Sequence, residues 1–167
     1  MKKMTENALK DAFSGESMAS MKYQIFSDIA EKEGYPNLAR MFRAISYAEK
    51  VHATNHARLL GMIKSTEENL QTGVDGETFE VDEMYPAYDA IAKLQKETGA
   101  ERSMFFAIEA EKIHTDFYQK AKEGVAKKQD MNSEDIYICP TCGYTHIGEL
   151  EEKCPICNAK SSIFKKF

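Results

Sequence analysis

Tryptophan is missing from the 167-residue chain altogether, and cysteine does not occur before position 139. All four cysteines fall between positions 139 and 157, so no disulfide can staple the rest of the chain, a pattern that suits a reducing compartment. Positive charge is also in short supply. With 22 Lys and Arg against 27 Asp and Glu the net charge is −5, which argues against a basic surface for phosphate backbones and against nucleic acid as a partner. No apolar run approaches the roughly 18 to 20 residues that cross a bilayer, and the opening Met1 to Asn7 lacks the apolar core of a secretion signal. These absences lead to the expectation of a cytoplasmic protein with no membrane partner. Nine methionines without tryptophan imply an adaptable core and no particular chemistry.

What is present is helical periodicity. Leu9, Ala12, Phe13, Ala19, Tyr23 and Phe26 recur on or near one face of a helix predicted from Thr5 to about Glu33, which Gly34 stops. Pro36 suits the first turn of a second helix running through Leu38, Phe42, Ile45, Leu59 and Leu60 to about Ile63. Residues 64–76 break the pattern and read as a linker, although Ser65-Thr66-Glu67-Glu68 could cap a short helical turn. A third helix is predicted from Glu77 to about Thr98, bent or loosened early by Pro86, and a fourth from Ala100 to about Lys122. The polar stretch 127–135 reads as a linker, followed by short strands and turns around the cysteines. The expectation is a mainly α protein: a four-helix bundle at 1–126, a linker at 127–135, and a small unit at 136–167 that needs a staple such as a metal.

One segment occurs twice. Ala48-Glu49-Lys50-Val51-His52 returns as Ala110-Glu111-Lys112-Ile113-His114. In Glu-x-x-His on a helix the two side chains share a face and can grip one metal or a bridged pair. Glu49 and Glu111 sit at helical spacing from apolar residues, as does Glu16 on the first helix, and the third helix offers Glu80 and Glu83. Buried ionised carboxylates cost several kcal/mol each unless paired or coordinated. Singly, each acid is more simply a solvated helix residue; together they fit a two-metal bundle, which draws one glutamate from each of two helices and Glu-x-x-His from the other two. Carboxylate and imidazole donors suit iron or manganese, and iron is the expectation. Glu77 is read as an N-terminal dipole partner, Glu109 as exposed, His56 as a packing residue, and Tyr23 and Tyr88 as core tyrosines whose hydroxyls could reach ligand carboxylates.

Cys139-Pro-Thr-Cys142 and Cys154-Pro-Ile-Cys157 are two knuckles that aim four thiolates at one ion. The spacing serves structural zinc as well as iron; attachment to a redox bundle favours iron. His146, between the knuckles, is read as a surface residue because four cysteines complete the shell.

These motifs together resemble the rubrerythrin family, a ferritin-like di-iron domain fused to a rubredoxin-like domain, over nearly the whole chain: Gly15-Glu16-Ser17, the two Ala-Glu-Lys-x-His segments, Gly76-Glu77-Thr78-Phe79-Glu80-Val81-Asp82-Glu83-Met84-Tyr85-Pro86, and the paired knuckles. The resemblance implies that Glu16, Glu49, Glu80, Glu83, Glu111 and His114 hold an oxidised di-iron pair, with Glu49 and Glu111 bridging. His52 would replace Glu83 on reduction, and Cys139, Cys142, Cys154 and Cys157 would hold a third iron. It also places Tyr23 and Tyr88 beside the ligands. Where the second knuckle commonly has glycine this chain has Asn158, which tolerates the positive φ.

The activity implied is reduction of hydrogen peroxide to water, with Glu83 as proton carrier and electrons relayed through the four-cysteine iron from a rubredoxin-type or flavin-dependent donor. The alternatives are a ferroxidase or iron-handling role and a non-enzymatic zinc-ribbon scaffold. The small unit follows the last helix whereas the di-iron site lies near mid-bundle, so a head-to-tail dimer is expected to bring the two close. The ferritin-like crossing between the second and third helices must run the length of the bundle. Thirteen residues reach at most about 43 to 47 Å against helices of about 38 Å; if residues 65–71 coil, exchange of helix pairs between two chains becomes the alternative dimer.

Overall fold

The computed structural model describes residues 1–132 and 134–167. The expected linker at 127–135 includes residue 133, which lies outside the described residues. The chain divides into two compact units, Met1–Lys64 and Ser65–Phe167.

The first unit is a hairpin of α1 (Lys3–Lys32) and α2 (Pro36–Leu59). Gly34, at φ +83°, ends α1 in a double-bonded C-cap: its N–H donates to the Glu31 carbonyl and that of Tyr35 to the Ala30 carbonyl. Pro36 then opens α2 in its first turn. The buried line between the helices consists of small residues, Ser20, Ser27 and Ala30 against Ala39, Ser46, Ala53 and Ala57. Their size lets the backbones approach closely enough for side chains to bond across. Ser20 Oγ donates to the Ser46 carbonyl at 2.9 Å, Ser46 Oγ to the Ser20 carbonyl at 2.8 Å, and Ser27 Oγ to the Ala39 carbonyl at 3.0 Å. The large apolar residues read from the sequence as core behave differently. Phe26 and Ile45 are exposed, as are Met21, Ile25, Ile29 and Met41.

The second unit contains α3 (Thr66–Phe79), a π-helical turn (Glu80–Met84), α4 (Tyr85–Gln95) and α5 (Thr98–Ala126). The expected linker at 64–76 is therefore mostly helix. Ser65 caps it reciprocally: its hydroxyl accepts from the Glu68 N–H at 3.3 Å and its own N–H donates to the Glu68 carboxylate at 3.3 Å. The π turn precedes Pro86, and the Tyr85 N–H reaches back five residues to the Glu80 carbonyl, so the helix widens where proline can neither donate nor tolerate a close carbonyl. α3 lies so close to α5 that a Cβ on Gly73 would stand 2.8 Å from the Tyr118 ring.

The small three-stranded antiparallel sheet, in order β2-β1-β3, comprises β1 (Ile136–Ile138), β2 (Thr145–Ile147) and β3 (Lys165–Lys166). β2 packs on α5. Phe106 of α5, with Tyr144 and Phe164, surrounds the buried Cys139, Cys142 and Cys154.

Candidate metal centres

The two knuckles repeat one backbone design. The Gly143 N–H donates to the Cys139 carbonyl and the Asn158 N–H to the Cys154 carbonyl, while the Cys139 and Cys154 amides bond to the Tyr144 and Ala159 carbonyls. Gly143 and Asn158 hold φ +81° and +62°. The four sulfurs lie within 4.8 Å of one another, with Cys139 to Cys157 at 3.6 Å and Cys142 to Cys154 at 3.5 Å. A tetrahedral ion about 2.3 Å from each sulfur sets sulfurs about 3.7 Å apart, so the cage already has the shape of its occupant. Burial pushes the Cys142 thiol up, whereas at Cys139 burial is outweighed by the Thr141 and Cys142 amides together with the Cys157 and Cys142 thiols, which hold it below its usual value.

In the first unit α1 supplies Glu16 and α2 supplies Glu49 and His52, and these three come together. His52 Nδ1 is 2.9 Å from a Glu49 oxygen and 3.9 Å from one of Glu16. Tyr23 stacks at 6.2 Å on both Phe26 and Phe42.

In the second unit α5 supplies Glu111 and His114, and the third member is Glu77 of α3. His114 Nδ1 meets a Glu111 oxygen at 2.5 Å. Burial and a hydrogen bond with Glu111 push Glu77 up to about 7, and burial with the Glu111 charge raises Glu80. Burial raises Tyr85 also, helped by the charges of Glu80, Glu111 and Glu77. Glu77 and Glu111 thus converge with His114 as the third member of their group, with Glu80 close enough to feel the Glu111 charge, and a cation bound there would relieve the repulsion between the acids.

Two residues singled out in the sequence stand elsewhere. Glu83 is exposed within the π turn and joins neither three-residue group. Tyr88 is exposed and borders an apolar groove with Ile91 and Met104. Glu77, read from the sequence as a dipole partner, is the acid that joins Glu111 and His114, and Tyr85 is the tyrosine that feels the charges of Glu80, Glu111 and Glu77. Glu109 is bound by Lys112 at 2.5 Å, and His146 uses both ring nitrogens, toward Tyr144 Oη at 3.1 Å and the Glu149 carbonyl at 2.7 Å.

A helical protein with Glu-x-x-His on two helices, partner carboxylates and a four-thiolate cage is a ferritin-like di-iron protein with a rubredoxin-like appendage, and its donors suit three irons per chain. The family profile for Rubrerythrin matches residues 7–122, and that for the rubrerythrin, rubredoxin-like domain matches 137–165. Rubrerythrin-2 of Clostridium acetobutylicum is 41% identical, covering 98% of this chain and 97% of its own. Nigerythrin of Nitratidesulfovibrio vulgaris is 33% identical, covering 95% and 84%. The solved structure of fully reduced, all-ferrous nigerythrin matches 98% of this chain and 86% of its own with a TM-score of 0.59 at 31% identity. The chain belongs to the rubrerythrin family. No helix among the described residues is long and apolar enough to cross a membrane.

Proposed function

We propose that the protein is a peroxidase that reduces hydrogen peroxide to water as a defence against oxidative stress in the cytoplasm. Electrons come through the four-cysteine iron from a rubredoxin-type or flavin-dependent donor. The observation that carries this reading is the pair of Glu-x-x-His groups, each completed by a carboxylate from another helix, in a chain that also holds a four-thiolate cage. Functionally the chain divides into a helical part, 1–126, and a knuckle part, 136–167.

Glu16, Glu49, Glu77, Glu80, Glu111 and His114 would hold the iron pair, with His52 as the alternative ligand. This moves the carboxylate pair of the third helix one turn toward its N-terminus, from Glu80 and Glu83 to Glu77 and Glu80, because Glu77 joins Glu111 and His114 and Glu83 does not. The irons supply the two electrons that, with two protons, convert one peroxide to two waters. Glu80, when His52 takes its place on the iron, would be the carboxyl freed to take up and deliver a proton, the role first given to Glu83. The Tyr85 phenol, kept protonated by the same acids, supplies a hydrogen-bond donor beside them.

The connector bears on assembly. α2 ends at Leu59 and α3 begins at Thr66, leaving a segment that reaches about 20 to 25 Å. A crossing along a helix the length of α2 needs about 36 Å. The dimer is accordingly the helix-exchanged one, in which the α1–α2 hairpin of one chain completes the centre of another. The exposed Met21, Ile25, Phe26 and Met41 on that hairpin support it.

Anaerobic reduction of the iron-loaded protein followed by stoichiometric peroxide tests the activity through the absorption of both iron sites. Reoxidation faster by peroxide than by dioxygen is expected, and the reverse order overturns the reading. Sedimentation as a monomer with full di-iron content overturns the exchange.

A further inference from the structure

The small unit does not hang from the end of α5; it lies against the helix beside the second Glu-x-x-His. Thr145 of β2 is 8% exposed, and its Oγ1 stands 2.7 Å from His114 Nε2. The Thr145 hydroxyl donates to the Gly143 carbonyl at 3.1 Å. Its one proton is thereby used, so Oγ1 accepts from Nε2–H. With Nε2 turned to Thr145, Nδ1 is the nitrogen that faces Glu111, with which it shares a proton in the metal-free chain and would share a metal when one is bound. Gly143 directly follows Cys142. A Cβ added to it would meet the Ala110 Cβ at 3.7 Å, and Ala110 directly precedes Glu111.

We infer that Thr145 is a positioning residue that joins the two metal sites of one chain: it sets the His114 ring and completes a hydrogen-bonded path from the Cys142 backbone through the Gly143 carbonyl to the imidazole. The inference rests on the reading of His114 as an iron ligand. Through this path the knuckle serves the centre that contains its own chain's His114, with no head-to-tail neighbour required to bring it near. Each transfer oxidises one ferrous ion of the cage to ferric and reduces one ferric ion of the pair to ferrous. No bond is made or broken, and Thr145 and His114 keep their protons.

Flash photoreduction of the fully ferric holoprotein tests this without peroxide. The four-thiolate absorption bleaches and then recovers as the electron passes to the pair. In Thr145→Val the recovery should slow by about tenfold or more, the scale of an outer-shell loss at a metal ligand, while Thr145→Ser restores it. The potential of the four-thiolate iron should stay at its wild-type value in both variants, so that the change is one of path and not of driving force. Recovery at the wild-type rate in Thr145→Val overturns the inference, as does equal slowing in both variants or a wild-type recovery rate that scales with protein concentration. Failure of the peroxide experiment with an intact Thr145 effect would instead count against the proposed activity alone.

Discussion

The two Ala-Glu-Lys-x-His segments differ at one position yet live in different surroundings. His52, with a side chain 55% exposed, pairs through Nδ1 with Glu49 and faces Glu16 from the neighbouring helix. His114, at 27%, pairs through Nδ1 with Glu111 in the same way but is also gripped at Nε2 by Thr145. Local sequence thus sets the Glu–His pairing, because residues three apart on a helix share a face. What stands behind the imidazole is a tertiary matter. His52 is held at one ring nitrogen and His114 at both.

The most drastic way to break the comparison is to remove the acids. Glu111→Ala and Glu49→Ala should each abolish iron at the pair and leave only the four-thiolate iron, read as loss of iron by metal analysis with the visible spectrum of the cage retained. An effect confined to one of the two would mean that the motifs are not equivalent. Next in size, Glu77→Gln should weaken binding at the pair by about 10- to 100-fold, whereas Glu83→Gln should bind as wild type; titration of the metal-free helical site with ferrous iron separates them. The opposite ranking would return the ligand set to Glu80 and Glu83.

Smaller effects distinguish the two units. Gly73→Ala must displace the Tyr118 ring and should cost about 1 to 3 kcal/mol, visible by denaturant unfolding as a loss in the second unit while the α1–α2 hairpin keeps its protection from hydrogen exchange. The smallest effect is that of pH on the metal-free chain. Glu77 holds its proton more tightly folded, at about 7, than its ordinary 4.5. The folded state therefore binds more protons between those values, and stability should fall as pH rises from about 4.5 through 7. The melting temperature of Glu77→Gln should lack that component, and iron should remove it from wild type. A wild-type melting temperature that rises across this window would contradict the cause assigned to Glu77.

Much of this was legible in the residues. The knuckle spacing, the repeated pentapeptide and the helical stripes led to the fold class and to Glu16, Glu49, His52, Glu111 and His114 as neighbours of their partners. The third helix was read differently from its course in the structure. Its start looked like a linker because Gly73, Gly76 and the polar residues around them dilute the apolar stripe, although the Ser65 to Glu68 capping box was there to be read. The shift from Glu83 to Glu77 and from Tyr88 to Tyr85 has one origin. The π turn at Glu80–Met84 inserts an extra residue into the helical register, so acids and tyrosines on either side of it do not share the face that 3.6-residue spacing assigns them.

The sequence by itself determined which atoms could bind metal: carboxylates and imidazoles at i,i+3, and thiolates in tight turns, since these depend only on neighbours along the chain. Tertiary structure decided which third carboxylate joins each pair, which surfaces the small Ser and Ala stripe leaves for the larger residues, and that Thr145 stands behind His114. Those choices depend on how closely helices and sheet approach one another, and that is set by packing across distances the local pattern does not encode.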